Sequence, residues 1–264
     1  MAKIVELPGM GSRNDPQKDN EEKAQELVYD AWDNDSAVAR KRLARKALEL
    51  DPYCVDAYCI LADAYQSIDK KKEYYTKGIE AFTKRYGAEY FAENTGYFWG
   101  LVETRPYMRL CAGYGDLLWE TGEREAAIAQ YEALLELNPN DNQGLRYSLI
   151  NWLLAMGESD KAGKFLKKYN DENTFILFSK LLFIIKTESA NTKKFTAAYR
   201  AASGANPLVT PYLLGRKKLP GYIPEYYSPG DDNEAITYCL GAKAVWEEDE
   251  TAMTILQNLA DKWN

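Results

Sequence analysis

Residues 108–139 read MRLCAGYGDLLWETGEREAAIAQYEALLELNP, and their spacing decides the fold. Gly115 lies seven places after Met108, Gly122 falls in a turn, Ala127, Tyr131 and Leu134 follow, and Pro139 ends the run. This is a helix–turn–helix period of about 34 residues. Its small side chains let two antiparallel helices approach, and its larger ones fill the gap to the next pair. Pro139 closes the second helix because proline cannot continue the hydrogen-bond ladder.

The period recurs. Residues 21–54 end in KALELDPYC, with Ala47 and Pro52 five apart. Residues 55–88 place Tyr58, Leu61, Ala62, Tyr65, Gly78 and Ala81, with Tyr86 where the proline would stand. Residues 142–173 give Leu145, Leu149, Trp152, Gly157, Ala162 and Phe165. ALELDP and LLELNP fall at matching phases. The segments resemble tetratricopeptide repeats. The resemblance implies an all-α, right-handed superhelix of antiparallel helix pairs, and an architecture that binds other proteins more often than it performs chemistry.

The pattern predicts helices over 21–33, 36–50, 54–67, 70–86, 106–120, 124–137, 141–155, 158–169, 173–187, 190–204, 231–247 and 249–262. Ser36 is a candidate N-cap after the turn-forming Asp33-Asn34-Asp35. Three segments follow: a mobile tail over 1–20, a repeat domain over 21–204 with an aromatic insertion at 87–106, and a connector with capping helices over 205–264. In the cap, Ile236, Leu240, Val245, Trp246, Ile255, Leu256 and Leu259 would supply one apolar face. The connector holds Leu208, Leu213, Leu214, Tyr222, Ile223, Tyr226 and Tyr227, too apolar for a solvated linker, and is expected to lie across the last repeat.

Several functions are disfavoured. The chain of 264 residues contains no histidine, which removes every histidine-based relay, imidazole general base and HExxH zinc site. Neither a GxxxxGK[ST] loop nor a GxGxxG after a strand is present. No catalytic residue, metal or cofactor is therefore expected, and the chain reads as not an enzyme. The first twenty residues lack the apolar core of a secretory signal, and the longest apolar run, FILFSKLLFII at 175–185, is too short for a bilayer. No membrane association and a cytoplasmic location are expected. Cys54, Cys59, Cys111 and Cys239 form no CxxC pair and fit reduced, packed thiols.

Charge is unevenly placed. Net charge is −1 over 1–50, −8 over 51–160, +9 over 161–218 and −7 over 219–264. The basic block is either a patch for nucleic acid or another anionic partner, or a face matched to the acidic C-terminal helices. The acidic whole chain and the lack of a nucleic-acid motif favour the second.

The insertion is the second unusual region. From Tyr86 to Tyr107, seven of 22 residues are aromatic. They either fill the junction between two repeat blocks or display anchors, Phe98 and Trp99 among them, to a partner. Three strings, FWGLVETRPYMR, LLELNPNDNQGLRY and PYLLGRKKLP…PEYYSPGDDNEAITY, resemble a group of uncharacterised bacterial tetratricopeptide-repeat proteins. That group is distantly similar to the suppressor of tumorigenicity 7 family. Some relatives carry a cysteine-rich metal module with no counterpart in this sequence, so no metal is carried over.

In a repeat fold of this kind the first helix of each pair lines the inner groove. That places Tyr29, Asp63, Arg109, Asp116, Arg146 and Tyr147 on the candidate partner-binding surface, beside Phe98 and Trp99. The alternative is that Asp116 and Arg146 form ion pairs between repeats. The carboxylate clamp of chaperone-binding repeats needs Lys, Asn, Asn, Lys and Lys or Arg. One window here offers Gln25, Tyr29, Ile60, Arg109 and Gly113, and the other Cys59, Asp63, Gly113, Gln143 and Tyr147. Neither fits, so a protein or peptide other than a chaperone carboxylate tail is the expected partner.

Overall fold

The computed structural model describes residues 16–188 and 192–263. The described residues are all-α, with thirteen helices and no strand. The helices are α1 (Pro16–Trp32), α2 (Ala37–Leu50), α3 (Val55–Ala64), α4 (Ile68–Asn94), α5 (Arg105–Glu120), α6 (Arg124–Leu137), α7 (Leu145–Ala155), α8 (Ser159–Lys168), α9 (Thr174–Thr187), α10 (Thr192–Ala205), α11 (Val209–Leu213), α12 (Asp232–Glu247) and α13 (Glu250–Trp263). Two single 3-10 turns, Phe98–Gly100 and Val102–Thr104, precede α5. No helix among the described residues is long and apolar enough to cross a membrane. The chain forms two compact units, Met1–Leu117 and Leu118–Asn264, and the division falls inside α5.

In the first unit α1 packs on α2, α2 on α3, and α3 on α4. Alanines make this possible: Ala24 and Ala31 of α1 and Ala44 and Ala47 of α2 are fully buried around Val28, Ile60 and Leu61. Side chains this small bring helix axes close, and the interior then fills without voids. Ser36 caps α2 by accepting from the Ala39 amide at 3.4 Å, and Ser67 caps α4 through Lys70. The helix α1 begins at Pro16, so residues 16–20 of the expected tail are helical, while residues 1–15 lie outside the described residues. Proline suits a first helical turn, where its missing donor costs nothing.

The insertion is an aromatic core. α4 runs through the expected stop near residue 86 to Asn94 and bends at Gly87, whose φ of 72° only glycine adopts without strain. Phe98 lies within 5.1–6.4 Å of Phe82, Tyr90, Phe91 and Tyr107, and Phe82 stacks on Tyr107 at 4.4 Å. Thr104 pins the turn from beneath by donating to the carbonyls of Phe98 and Leu101. Such ring pairs add stability beyond the area they bury.

In the second unit α7 packs against α6, α8, α9 and α12, and α9 also contacts α10, α12 and α13. Trp152 of α7 stacks on Trp119 at 4.7 Å and meets Tyr131 of α6 at 4.5 Å. Helix α12 is buried along Ile236, Tyr238, Cys239, Val245 and Trp246, but Leu240 is exposed. Leu240 faces away because residues 236, 239, 242 and 246 hold the inward stripe at helical spacing, which turns 240 outward. The connector divides in two. Val209, Tyr212 and Leu213 of α11 are buried, and α11 packs on α12. Tyr222, Ile223, Tyr226 and Tyr227 are exposed, against the expectation that they would be packed across the last repeat. Their loop is held at its base by a buried carboxylate: Glu234 accepts from the Thr174 hydroxyl (2.7 Å), the Asn206 amide (3.0 Å) and the Gly230 backbone (2.7 Å).

Candidate partner-binding cleft

The second unit contains a cleft of about 450 Å³ between the N-terminal half of α7, α9, α12 and the loop before α12. Its wall begins at a short turn after α6. Asp141 takes a left-handed conformation, φ 50°, and its carboxylate accepts from the amides of Leu145 (2.8 Å) and Arg146 (3.0 Å). The sequence placed a helix over 141–155; the Asp141 carboxylate caps α7 from there although the helix itself opens at Leu145. Arg146 then folds back over its own cap. Its guanidinium reaches Asp141 at 2.9 Å, Asp171 at 3.0 Å and the Tyr147 hydroxyl at 2.6 Å, and lies 5.5 Å from the centre of the Tyr169 ring.

Burial is the largest single influence and works against the charge on Arg146, but the Asp141 hydrogen bond together with the electrostatic pull of Tyr147, Asp141 and Asp171 outweighs it, so the side chain holds its proton more firmly than usual. Tyr147 is fixed from three sides: its hydroxyl accepts from Arg146 and from Asn173 (2.9 Å), and its ring stacks on Phe175 at 4.7 Å. Burial is the main cause raising the Tyr147 phenol above its ordinary value. Asn151 donates to the Tyr147 carbonyl at 3.0 Å and accepts from Ser179 at 3.0 Å. Tyr227 closes the rim, 5.6 Å from Phe175, and the loop around it leaves Tyr226 78% exposed. Gly241 of α12 also lines the cleft, and a Cβ added there would meet nothing within 4 Å.

Six of the eight sequence-predicted residues belong to the first unit. Tyr29 is exposed beside Trp32 at 5.8 Å, and Arg109 places its guanidinium 5.8 Å from the Trp32 ring while binding the buried Asp56 at 2.8 Å. These three make an exposed aromatic and cationic group. Asp63 accepts from the Tyr75 hydroxyl at 3.2 Å, and crowding of its carboxylate raises its pKa although the residue keeps an exposed face. Asp116 is exposed on α5. Phe98 is 0% exposed, so it serves the aromatic core and cannot act as a surface anchor. Trp99 is half-buried under Arg105, whose Nε donates to its carbonyl at 3.1 Å.

Arg146 and Tyr147 are brought together with Asn151, Phe175 and Tyr227, three residues that sequence reasoning did not select. Phe175 read only as part of an apolar run. Tyr227 read as core because nothing in the string PEYYSPG separates a buried tyrosine from an exposed one.

The basic block is matched in part within the second unit, while Lys164, Lys167 and Lys168 of α8 are exposed with no ion pair among the described residues. Lys186 pairs with Asp249 (2.6 Å), Arg216 with Asp261 (2.6 Å) and Lys217 with Asp232 (2.5 Å). No group of three or more Cys, Asp or Glu side chains suited to a metal ion occurs among the described residues. None of the four cysteines forms a disulfide; burial raises the Cys54 and Cys239 thiols to about 12.

No curated protein matches the chain. Residues 109–141, which run from α5 through α6, match the tetratricopeptide repeat family, so the chain carries a helical repeat of that type.

Proposed function

We propose that this chain is a non-catalytic scaffold that binds a protein or peptide, with the cleft beside Arg146 and Tyr147 as its seat. Tetratricopeptide repeats generally mediate protein–protein interaction, and the repeat at 109–141 carries that expectation to this chain. The observation that favours this cleft is its pre-organisation. Arg146, Tyr147 and Asn151 are each locked by hydrogen bonds within the wall, while Tyr227 and Tyr226 stand exposed at the rim. A fixed polar wall beside exposed aromatic anchors lowers the ordering cost of binding. In this reading 21–204 supplies the repeat surface and 205–264 supplies the rim and closes the stack. The resemblance to bacterial relatives of the suppressor of tumorigenicity 7 family, and a cytoplasmic location, belong to the same proposal. The charge pairs Lys186–Asp249 and Arg216–Asp261 weigh against nucleic acid on the 161–218 block.

The test uses the open space above Gly241. Gly241→Leu would add a side chain to the cleft at a lining position where the new Cβ meets nothing within 4 Å. A photo-crosslinking residue in place of Tyr226 should capture a defined partner in cells, and Gly241→Leu should abolish that capture while leaving the melting temperature unchanged. Capture that survives a filled cleft would refute the assignment.

A further inference from the structure

A cluster of unmatched positive charge lies in the first unit, on α2. Its inner face, Ala44 and Ala47 with Leu43 and Leu48, packs into the core. Its outer face carries Lys41, Arg42, Arg45 and Lys46 against a single carboxylate, Glu49. These side chains line an open groove of about 520 Å³ with Tyr65 and Val38, which is 75% exposed. None of the four cations forms an ion pair among the described residues. Two are nevertheless placed. Arg45 donates to the Tyr65 hydroxyl at 2.5 Å, and the Lys41 ammonium lies 5.0 Å over the Tyr65 ring. Concentrating four unpaired cations on one helix face of a chain with net charge −7 raises the energy of the free protein through self-repulsion. An anion on that face relieves it.

We infer that the outer face of α2 is a second binding site, for an acidic peptide segment in extended conformation. The geometry fits. Lys41 and Arg45, like Arg42 and Lys46, are one helical turn apart, a rise of about 6 Å. Same-face side chains of an extended chain repeat at about 6.5–7 Å. Carboxylates at alternate positions therefore meet successive turns of the helix, and Val38 offers an apolar contact at the groove's end. A single-stranded nucleic acid would present phosphates at a comparable spacing, but it gains its affinity from bases stacked on free aromatic faces. Here the Tyr65 ring stacks on Tyr74 at 5.3 Å and lies under Lys41, while Tyr74 lies under Lys77. The aromatic faces are engaged by the protein itself.

The site is separate from the cleft of the second unit and does not depend on it. Fluorescence anisotropy of the full chain tests it with a labelled peptide of roughly ten residues, alternating Glu and Ala around one Leu, and a control with Gln for Glu. The acidic peptide should bind at least about tenfold tighter than the control, and the difference should shrink as salt rises from about 50 mM to about 300 mM. Arg42→Glu with Lys46→Glu should weaken the acidic peptide by about tenfold or more, with the helical circular dichroism signal unchanged. Lys161→Glu with Lys164→Glu, in the second unit, should leave it unaltered. Equal binding of the two peptides by the unmodified protein would overturn the inference, whatever the variants do. So would indifference to the α2 reversal, or tighter binding of an oligothymidine of equal charge, which would make the face a nucleic-acid site.

Discussion

Truncating Arg146 to alanine should destabilise the second unit before it reveals anything about binding. The guanidinium side chain is 15% exposed and its Asp141 partner 1% exposed, whereas Asp171 is 46% exposed. Removing one member of a fully buried ion pair costs about 3–5 kcal/mol, because the other charge is left uncompensated. Here Asp141 keeps two backbone donors, the amides of Leu145 and Arg146, and Asp171 returns to water. Those two facts reduce the loss to about 2–3 kcal/mol. For a unit of this size each kcal/mol moves the melting temperature by about 2–4 °C, so the expected fall is about 4–12 °C.

Differential scanning calorimetry, with urea unfolding as a second measure, reads the effect. A cycle with Asp141→Asn should show the two changes to be strongly non-additive, while a cycle with Asp171→Asn should show weak coupling. A melting temperature within about 1 °C of the unmodified protein would refute the reasoning, since 1 °C in a unit of this size is under about 0.5 kcal/mol. It would return Arg146 to the role of a free groove cation.

Three further outcomes are expected. Gly78→Ala should destabilise by about 1 kcal/mol despite alanine's better helix propensity, because the new Cβ would lie 2.7 Å from a Leu110 methyl and 2.9 Å from the Tyr58 Cβ; thermal melts check it. Glu234→Ala should strip three donors of their shared acceptor, cost about 1–3 kcal/mol and expose the 205–230 segment to limited proteolysis that spares the unmodified chain. Burial tends to raise the Asp249 pKa, but Lys186 and the Ala252 amide outweigh it and hold the carboxyl below its ordinary 3.8. Its contribution is thus full above 3.8 and lost as pH falls through the lower folded value, so Asp249→Asn should cost stability at neutral pH and the gap should close in that acidic window.

Helix periodicity made most of the architecture legible, because it depends on burial repeated every turn. The helix expected over 124–137 is observed as Arg124–Leu137, and Ala127, Tyr131 and Leu134 are buried as their spacing required. The insertion was harder. Its aromatic richness was visible, but rings that pack on one another and rings that face a partner have the same composition; only the contacts of Phe98 with Phe82, Phe91 and Tyr107 decide between them. The cleft was half legible. Arg146 and Tyr147 are adjacent in sequence and fall near a recognisable cap. Phe175 and Tyr227 join them only through the packing of α9 and the return of the chain before α12, which no local pattern encodes.

Charge shows most clearly why a block sum misleads. Residues 161–218 carry +9 and invite a polyanion, yet Lys186, Arg216 and Lys217 face Asp249, Asp261 and Asp232 from the acidic block that follows. Residues 1–50 sum to −1 and look unremarkable. Among the described residues of that block, however, four cations share one face of α2 with a single carboxylate, Glu49. Asp19 binds Lys23 on α1, and Glu21 binds Arg85 of α4, while Lys41, Arg42, Arg45 and Lys46 face solvent together on α2. A block can be neutral in sum and strongly basic on one face, because Coulomb interaction acts over ångströms in space and not over positions in sequence. What matters for recognition is the charge left unpaired after folding. By that measure α2 is a basic face of this acidic protein although its block sums to −1, and charge reversal there should weaken salt-dependent binding of an acidic peptide.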